Sequence, residues 1–254
     1  MATNFNVSPY YDDFSEGNNF HRVLFRPAYA VQARELTQLQ TILQNQVARF
    51  GEHIFKDGSM VIPGSVTYNS KYDYVKLASH TTATVSNMVG LTITGSSSGV
   101  TAEVVNSSEA STTAAATIYV VYTASGTDTT TKTFTEGETL TFTYNSTSSS
   151  AVVGTSGTSL PTDSNAIGQG SSVNVADGVY FINGFFVKNT EQTLILDPYT
   201  NTPDYRVGFT ITESFQTPEN DSSLTEHATG SSNIYATGAH RYKILLTLSK
   251  KLTT

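Results

Sequence analysis

The stretch NFNVSPYYDDFSEGNNFHRVLFRPAYAVQARELTQLQTILQNQVARFGEHIFKDGSMVIPG, residues 4–64, decides how the chain is read. Residues 1–20 carry Pro9, Gly17 and four asparagines, with Tyr10, Tyr11 and Phe14 as apolar anchors. So few aliphatic side chains cannot close a core, which predicts an extended arm that is disordered or ordered by a partner. Asp12, Asp13 and Glu16 are acidic neighbours, but no defined ligand spacing follows them, and they are not read as a metal site. Pro27 marks a boundary or the first turn of a helix.

From Val31 to Ile54 the apolar positions Val31, Leu36, Leu39, Leu43, Val47, Phe50 and Ile54 fall on one helical face. The opposite face carries Gln38, Gln40, Gln44 and Gln46, good helix formers without charge. Two arrangements fit. The helix lies with its apolar face on its own sheet, or its amide-rich face is a second contact surface. Gly51 and Gly58 are expected to loosen the chain at the helix exit.

The remainder reads as strands. Ser59–Gly64, Ser65–Tyr68 and Tyr72–Leu77 are rich in β-branched and aromatic residues, with Pro63 limiting the first to an edge or an end. From Thr81 to Gly157 only six residues are charged, and Thr and Ser dominate. Alternation persists in LTIT, AEVV, TIYVVYT and TLTFTYN, with turns at GSSSG (Gly95 to Gly99) and Glu136-Gly137. This segment reads as an inserted small β-barrel or sandwich, with Ile93, Val104, Tyr119, Val121, Leu140 and Phe142 as its core and hydroxyls outside. Asn145 to Gly170 reads as a low-complexity linker or surface loop, its linker proper at 158–170.

The chain then returns to its first domain. In VYFINGFFV (Val179 to Val187), Asn183-Gly184 supplies the two positive-φ residues of a type I′ hairpin. EQTLIL, YRVGFTITES and YKILLTLSK are further strands. The 22-residue loop Thr217 to Gly238 reads as a contact element or a disordered segment. The expected class is mainly β with one prominent N-terminal helix. The expected domains are an arm (1–20), a discontinuous helix-plus-sheet domain (21–80 and 171–254) and the insert (81–157).

Composition narrows the function. The net charge is -7 and only 14% of residues are charged, which argues against a phosphate-binding surface and against nucleic acid as a partner. Four of six arginines (Arg22, Arg26, Arg34, Arg49) sit in the arm and helix, either meeting an acidic neighbour or paired within the chain. With no cysteine, disulfides and thiolate metal sites are excluded. Neither a signal peptide nor an apolar membrane span of about 20 residues is visible. The five histidines (His21, His53, His80, His227, His240) are scattered, and no nucleophile elbow, phosphate loop or HExxH appears. No catalytic, cofactor or metal residues are therefore nominated, and an enzyme is not expected.

Two blocks resemble a known family. FHRVLFRPAYAVQARELTQLQTILQNQ (Phe20 to Gln46) and DGVYFINGFFVKNTEQTLILDPYTNTPDYRVGFTITES (Asp177 to Ser214), continuing through Gly238 to Lys251, resemble an uncharacterised virion structural protein family of T4-like contractile-tailed phages, cyanophage type. Val89 to Val105 resembles a hairpin module of phage tail proteins. The resemblance implies a structural virion protein at the baseplate or tail-fibre attachment, assembled in the bacterial host cytoplasm. Its implied partners are other tail or baseplate proteins and copies of itself, as a trimer or around a six-fold axis. Members of that family run past the equivalent of Thr254, so this chain is expected to be a short form or to lack a C-terminal portion. The residues nominated for partner binding are Phe5, Tyr10, Tyr11, Phe14, Phe20, Arg22, Arg26 and Gln38. The alternative is an adhesin whose hydroxyl-rich insert touches a host surface glycan.

Overall fold

A computed structural model describes residues 4–112, 114–156, 165–228, 230 and 232–253. The chain is mainly β with one long helix and large antiparallel sheets. In order the elements are α1 (Ala33–Ile54), β1 (Met60–Ile62), β2 (Val66–His80), β3 (Thr92–Gly95), β4 (Thr101–Ser108), β5 (Thr117–Ala124), β6 (Thr139–Tyr144) and β7 (Thr147–Val153). There follow β8 (Ile167–Val175), β9 (Gly178–Ile182), β10 (Phe185–Asn189), β11 (Gln192–Asp197), β12 (Tyr205–Gln216) and β13 (Arg241–Leu252). They fall into two compact units, one of residues 1–66, 175–192 and 207–249, the other of 67–174, 193–206 and 250–254.

The second unit is a barrel. Strands pair in the order β2-β5-β4-β3-β6-β7, and β7 returns to β2, so the sheet closes on itself. Closure removes the exposed strand edges that an open sheet of this composition would present. The inward register sets Val75 against Ile118, Leu77 against Val153 and Ile93 against Ala102. Val75, Ile93, Val104, Ile118, Val120, Leu140 and Phe142 form its core, capped by Val85 and Met88 on a 3-10 turn.

Sequence and structure differ here in three ways. Val121 is 52% exposed and Tyr119 is buried outside the barrel core, because the pleat of β5 turns Ile118 and Val120 inward. The barrel also needs β2, which reading by segment groups with the helix, because only β2 bridges β5 and β7. Finally, Asn145 to Gly170 is not a plain linker. Asn145 and Ser146, with φ of 48° and 61°, turn the β6-β7 hairpin, and β8 begins at Ile167. Residues 158–164 of the expected linker lie outside the described residues.

β8 and β11 extend the sheet beyond β2, and beneath them Tyr72 stacks on Tyr119 with ring centroids 5.0 Å apart. Lys76 is 1% exposed, its Nζ 3.9 Å from the Tyr199 ring centroid, and burial lowers its pKa. The Tyr119 hydroxyl has no hydrogen-bond partner among the described residues. Tyr119→Phe is therefore expected to be neutral or stabilising by up to about 1 kcal/mol, read by chemical denaturation.

Burial raises the phenol pKa of Tyr72, Tyr74 and Tyr119. Above the ordinary value near 10 the unfolded chain sheds protons that the native state keeps. Stability is then complete below about pH 10 and falls as pH climbs past it. Denaturant titrations on either side of that pH check this, and Tyr119→Phe should flatten the loss. A stability that holds steady across the alkaline range would refute it.

The first unit is layered. β1, β9 and β10 form a three-stranded antiparallel sheet, and Asn183 (φ 49°) and Gly184 (φ 83°) make the expected tight turn between β9 and β10. Alternation along this hairpin sorts its two faces. Tyr180, Ile182 and Val187 pack on Phe209, Ile244 and Leu246 of the β12-β13 ribbon. Phe181 and Phe186 point the other way, towards Phe55 and the helix. The long loop after β12 is tied across its base, with Thr225 bridging Thr237 and the Gly238 N–H donating to the Leu224 carbonyl at 3.0 Å.

Candidate functional site

Helix α1 starts at Ala33 because Gln32 and Glu35 form a reciprocal cap, the Gln32 N–H donating to Glu35 Oε2 at 2.8 Å. Pro27 lies further upstream in a turn and plays no part in the first helical turn. The helix ends where the Phe55 N–H caps the Gly51 carbonyl at 2.7 Å.

The face of α1 that meets the protein is its polar and small one. Ile42 and Gly51 are buried on it, and Thr41, Gln44, Asn45 and Ala48 are half-buried. A Cβ on Gly51 would stand 2.3 Å from Phe181 Cε2, so the missing side chain is what admits the ring. One turn earlier, Ala48 packs on Gly184, and Gln44 Nε2 donates to the Gly184 carbonyl at 2.9 Å. Of the two arrangements, this excludes the one with the apolar face on the sheet. Leu36, Leu43, Val47, Phe50 and Ile54, read as the face that would lie on a sheet, are all exposed. Small residues at 48 and 51 allow the close approach that an aliphatic stripe would block. That pair was the available signal, and sequence reading used Gly51 only as an exit marker.

The arm is ordered against its own chain. Asp12 is 2% exposed and accepts from the Thr41 hydroxyl at 2.7 Å and the Phe14 N–H at 3.2 Å. Asp13 pairs with Arg34 and Glu16 with Arg49, so two of the four clustered arginines are satisfied within the chain. The acidic residues that resemble a metal cluster are thus helix-docking groups. Among the described residues no set of His, Asp and Glu side chains could hold a metal ion.

The eight nominated partner-binding residues separate into two groups. Phe5 packs edge-on to Tyr242 (5.2 Å) and Phe215 (6.2 Å), while Tyr10 lies 5.4 Å from Phe215 and its hydroxyl is 2.8 Å from His240 Nδ1. Phe14 and Gln38 are half-buried. Phe5 and Tyr10 are thus spent on holding the arm in place. Tyr11, Phe20, Arg22 and Arg26 are exposed, Arg26 lying 4.5 Å over the Tyr29 ring. Leu24, Phe25, Tyr29 and Val31, which were not nominated, are exposed beside them. A cleft of about 640 Å³ runs between arm, helix and ribbon, lined by Phe5, Tyr10, Gln40, Gln44, Phe215 and His240 among others. Aromatic rings and side-chain amides dominate this lining, which includes no carboxylate.

Fold and surface together define a mainly β protein that presents an apolar helical stripe outward. A family described as a domain of unknown function (DUF4815) matches residues 8–81, from the arm through α1 and β1 to the end of β2. No curated protein and no solved structure matches the chain.

Proposed function

We propose that this chain is a structural component of a phage contractile tail, at the baseplate or tail-fibre attachment, and that it works by protein–protein assembly through its N-terminal region. One observation carries the reading. The helix turns its apolar stripe to solvent while its polar face is used internally, so the surface left over is the kind that an assembly partner covers. The resemblance of Phe20 to Gln46 to virion proteins supports the setting, and the charge-poor exterior suits close packing among subunits. Cryo-electron microscopy and mass spectrometry of purified particles test it. Density for the chain at the baseplate or fibre root, with α1 covered, is the expected result, and particles that lack the chain would overturn it.

A second reading is favoured by the barrel exterior, where Thr92, Thr94, Thr141, Thr143 and Ser148 form an exposed hydroxyl pavement. There the chain is an adhesin that binds host surface glycan. Density only at a distal fibre tip, with the barrel outermost, would favour it.

A further inference from the structure

The exposed stripe of α1 has a stricter order than amphipathicity requires. Gln40, expected on the opposite face with the other glutamines, falls within it, and Leu36, Gln40, Leu43, Val47, Phe50 and Ile54 follow one another at alternating spacings of four and three. In heptad terms Leu36, Leu43 and Phe50 occupy d, and Gln40, Val47 and Ile54 occupy a. Every one of these six is exposed, at 50, 59, 44, 67 and 55% for the five apolar ones. The flanking e and g positions are Thr37, Gln44 and Gly51, and Leu39, Gln46 and His53.

We propose that α1 packs along this stripe against α1 of a second copy of the chain, in a parallel, in-register seam; the proposal rests on reading α1 as an assembly surface and names what covers it. The flanks carry no carboxylate, lysine or arginine. Two identical helices therefore meet without like-charge repulsion, and no charge pattern selects a different partner. Branched Val47 and Ile54 at a, with Leu36 and Leu43 at two of the three d positions, suit two parallel strands. Register follows from Gln40. In register, each Gln40 amide donates to and accepts from its copy, whereas slippage or an antiparallel pairing sets it against an aliphatic side chain.

The available area agrees. The five apolar side chains leave roughly 450 Å² open per chain, so two copies bury roughly 900 Å² of apolar surface. Gln40 within the seam and the Gln46 and His53 flanks bring the total to the roughly 1,200 Å² at which stable interfaces begin. Phe181 and Gly184 engage α1 at Gly51, Ala48 and Gln44, so the hairpin borders the stripe on its e flank and leaves the six a and d side chains open.

The test uses the purified full-length chain. Light scattering at about 100 µM should give twice the chain mass, and Val47→Gln with Phe50→Gln should weaken association at least about 100-fold. Both side chains are exposed in the single chain, so the variant should keep its circular dichroism and unfolding transition. Because the chain has no cysteine, Leu36→Cys reports orientation with Gln40 intact, and a parallel seam should give an oxidised dimer in high yield. A monomer at that concentration, a mass above two chains, a variant that stays dimeric, or no cross-link would overturn the proposal. None of these results bears on whether the chain is in the tail, which the particle experiment decides separately.

Discussion

Replacing Glu138 by alanine is expected to destabilise the barrel by about 3–5 kcal/mol, a large part of what holds a domain of this size together. The carboxylate is 5% exposed and closes one end of the barrel. It accepts from the backbone N–H groups of Ser97 (3.1 Å), Ser98 (3.0 Å) and Thr135 (2.6 Å), and from the Ser98 hydroxyl at 3.0 Å. One side chain thus ties the β3-β4 turn to the segment before β6. Alanine would leave these donors unpaired where water has little access, each costing about 1–3 kcal/mol. Scanning calorimetry should show the barrel transition lowered by roughly 10–20 °C. Glu138→Gln keeps one acceptor oxygen and should fall between the two. If the alanine variant melts like the parent, the Ser97 and Ser98 donors have another acceptor and this account of the turn is wrong.

Gly51→Val should undock α1 from its hairpin at a cost of about 2–3 kcal/mol. The added Cβ would fall 2.3 Å from the ring of Phe181, which is 1% exposed and has nowhere to withdraw. Helix propensity alone predicts the opposite sign, since glycine inside a helix is unfavourable by roughly 1 kcal/mol. The experiment therefore decides between packing and propensity. Gly51→Ala combined with Phe181→Leu frees the space and restores a good helix former, and it should recover most of the loss as a coupling between the two sites. Hydrogen exchange of α1 amides reads the result locally. An unchanged exchange pattern in Gly51→Val would mean that the helix does not depend on this contact.

Much of the local structure was legible because it rests on near neighbours in the chain. Asn183-Gly184 meets the φ demands of a two-residue turn whatever lies around it. The threonine-rich strands show their alternation, and the helix its periodicity, without reference to any other element. The Asn145-Ser146 turn was missed because its strands are written in serine and threonine, whose hydroxyls mask the alternation that aliphatic residues display. The small pair Ala48 and Gly51 was missed for another reason: close approach matters only when the opposing surface is known.

The arm shows the same boundary from the other side. Its composition implied disorder or ordering by a partner, whereas it packs on its own helix and ribbon through Asp12, Asp13, Glu16, Phe5 and Tyr10. Only the fold brings residue 10 to residue 240. Taken by itself, the sequence determined the β class, the single long helix and the hairpin turns at Asn183-Gly184 and Gly95 to Gly99, all of which follow from backbone propensity and side-chain period. The tertiary structure alone decided which strand closes the barrel, which pleat of β5 faces inward and which face of α1 is left to solvent. Those outcomes depend on pairing between distant segments and on the fit of one surface to another, and neither is written into any local stretch of the chain.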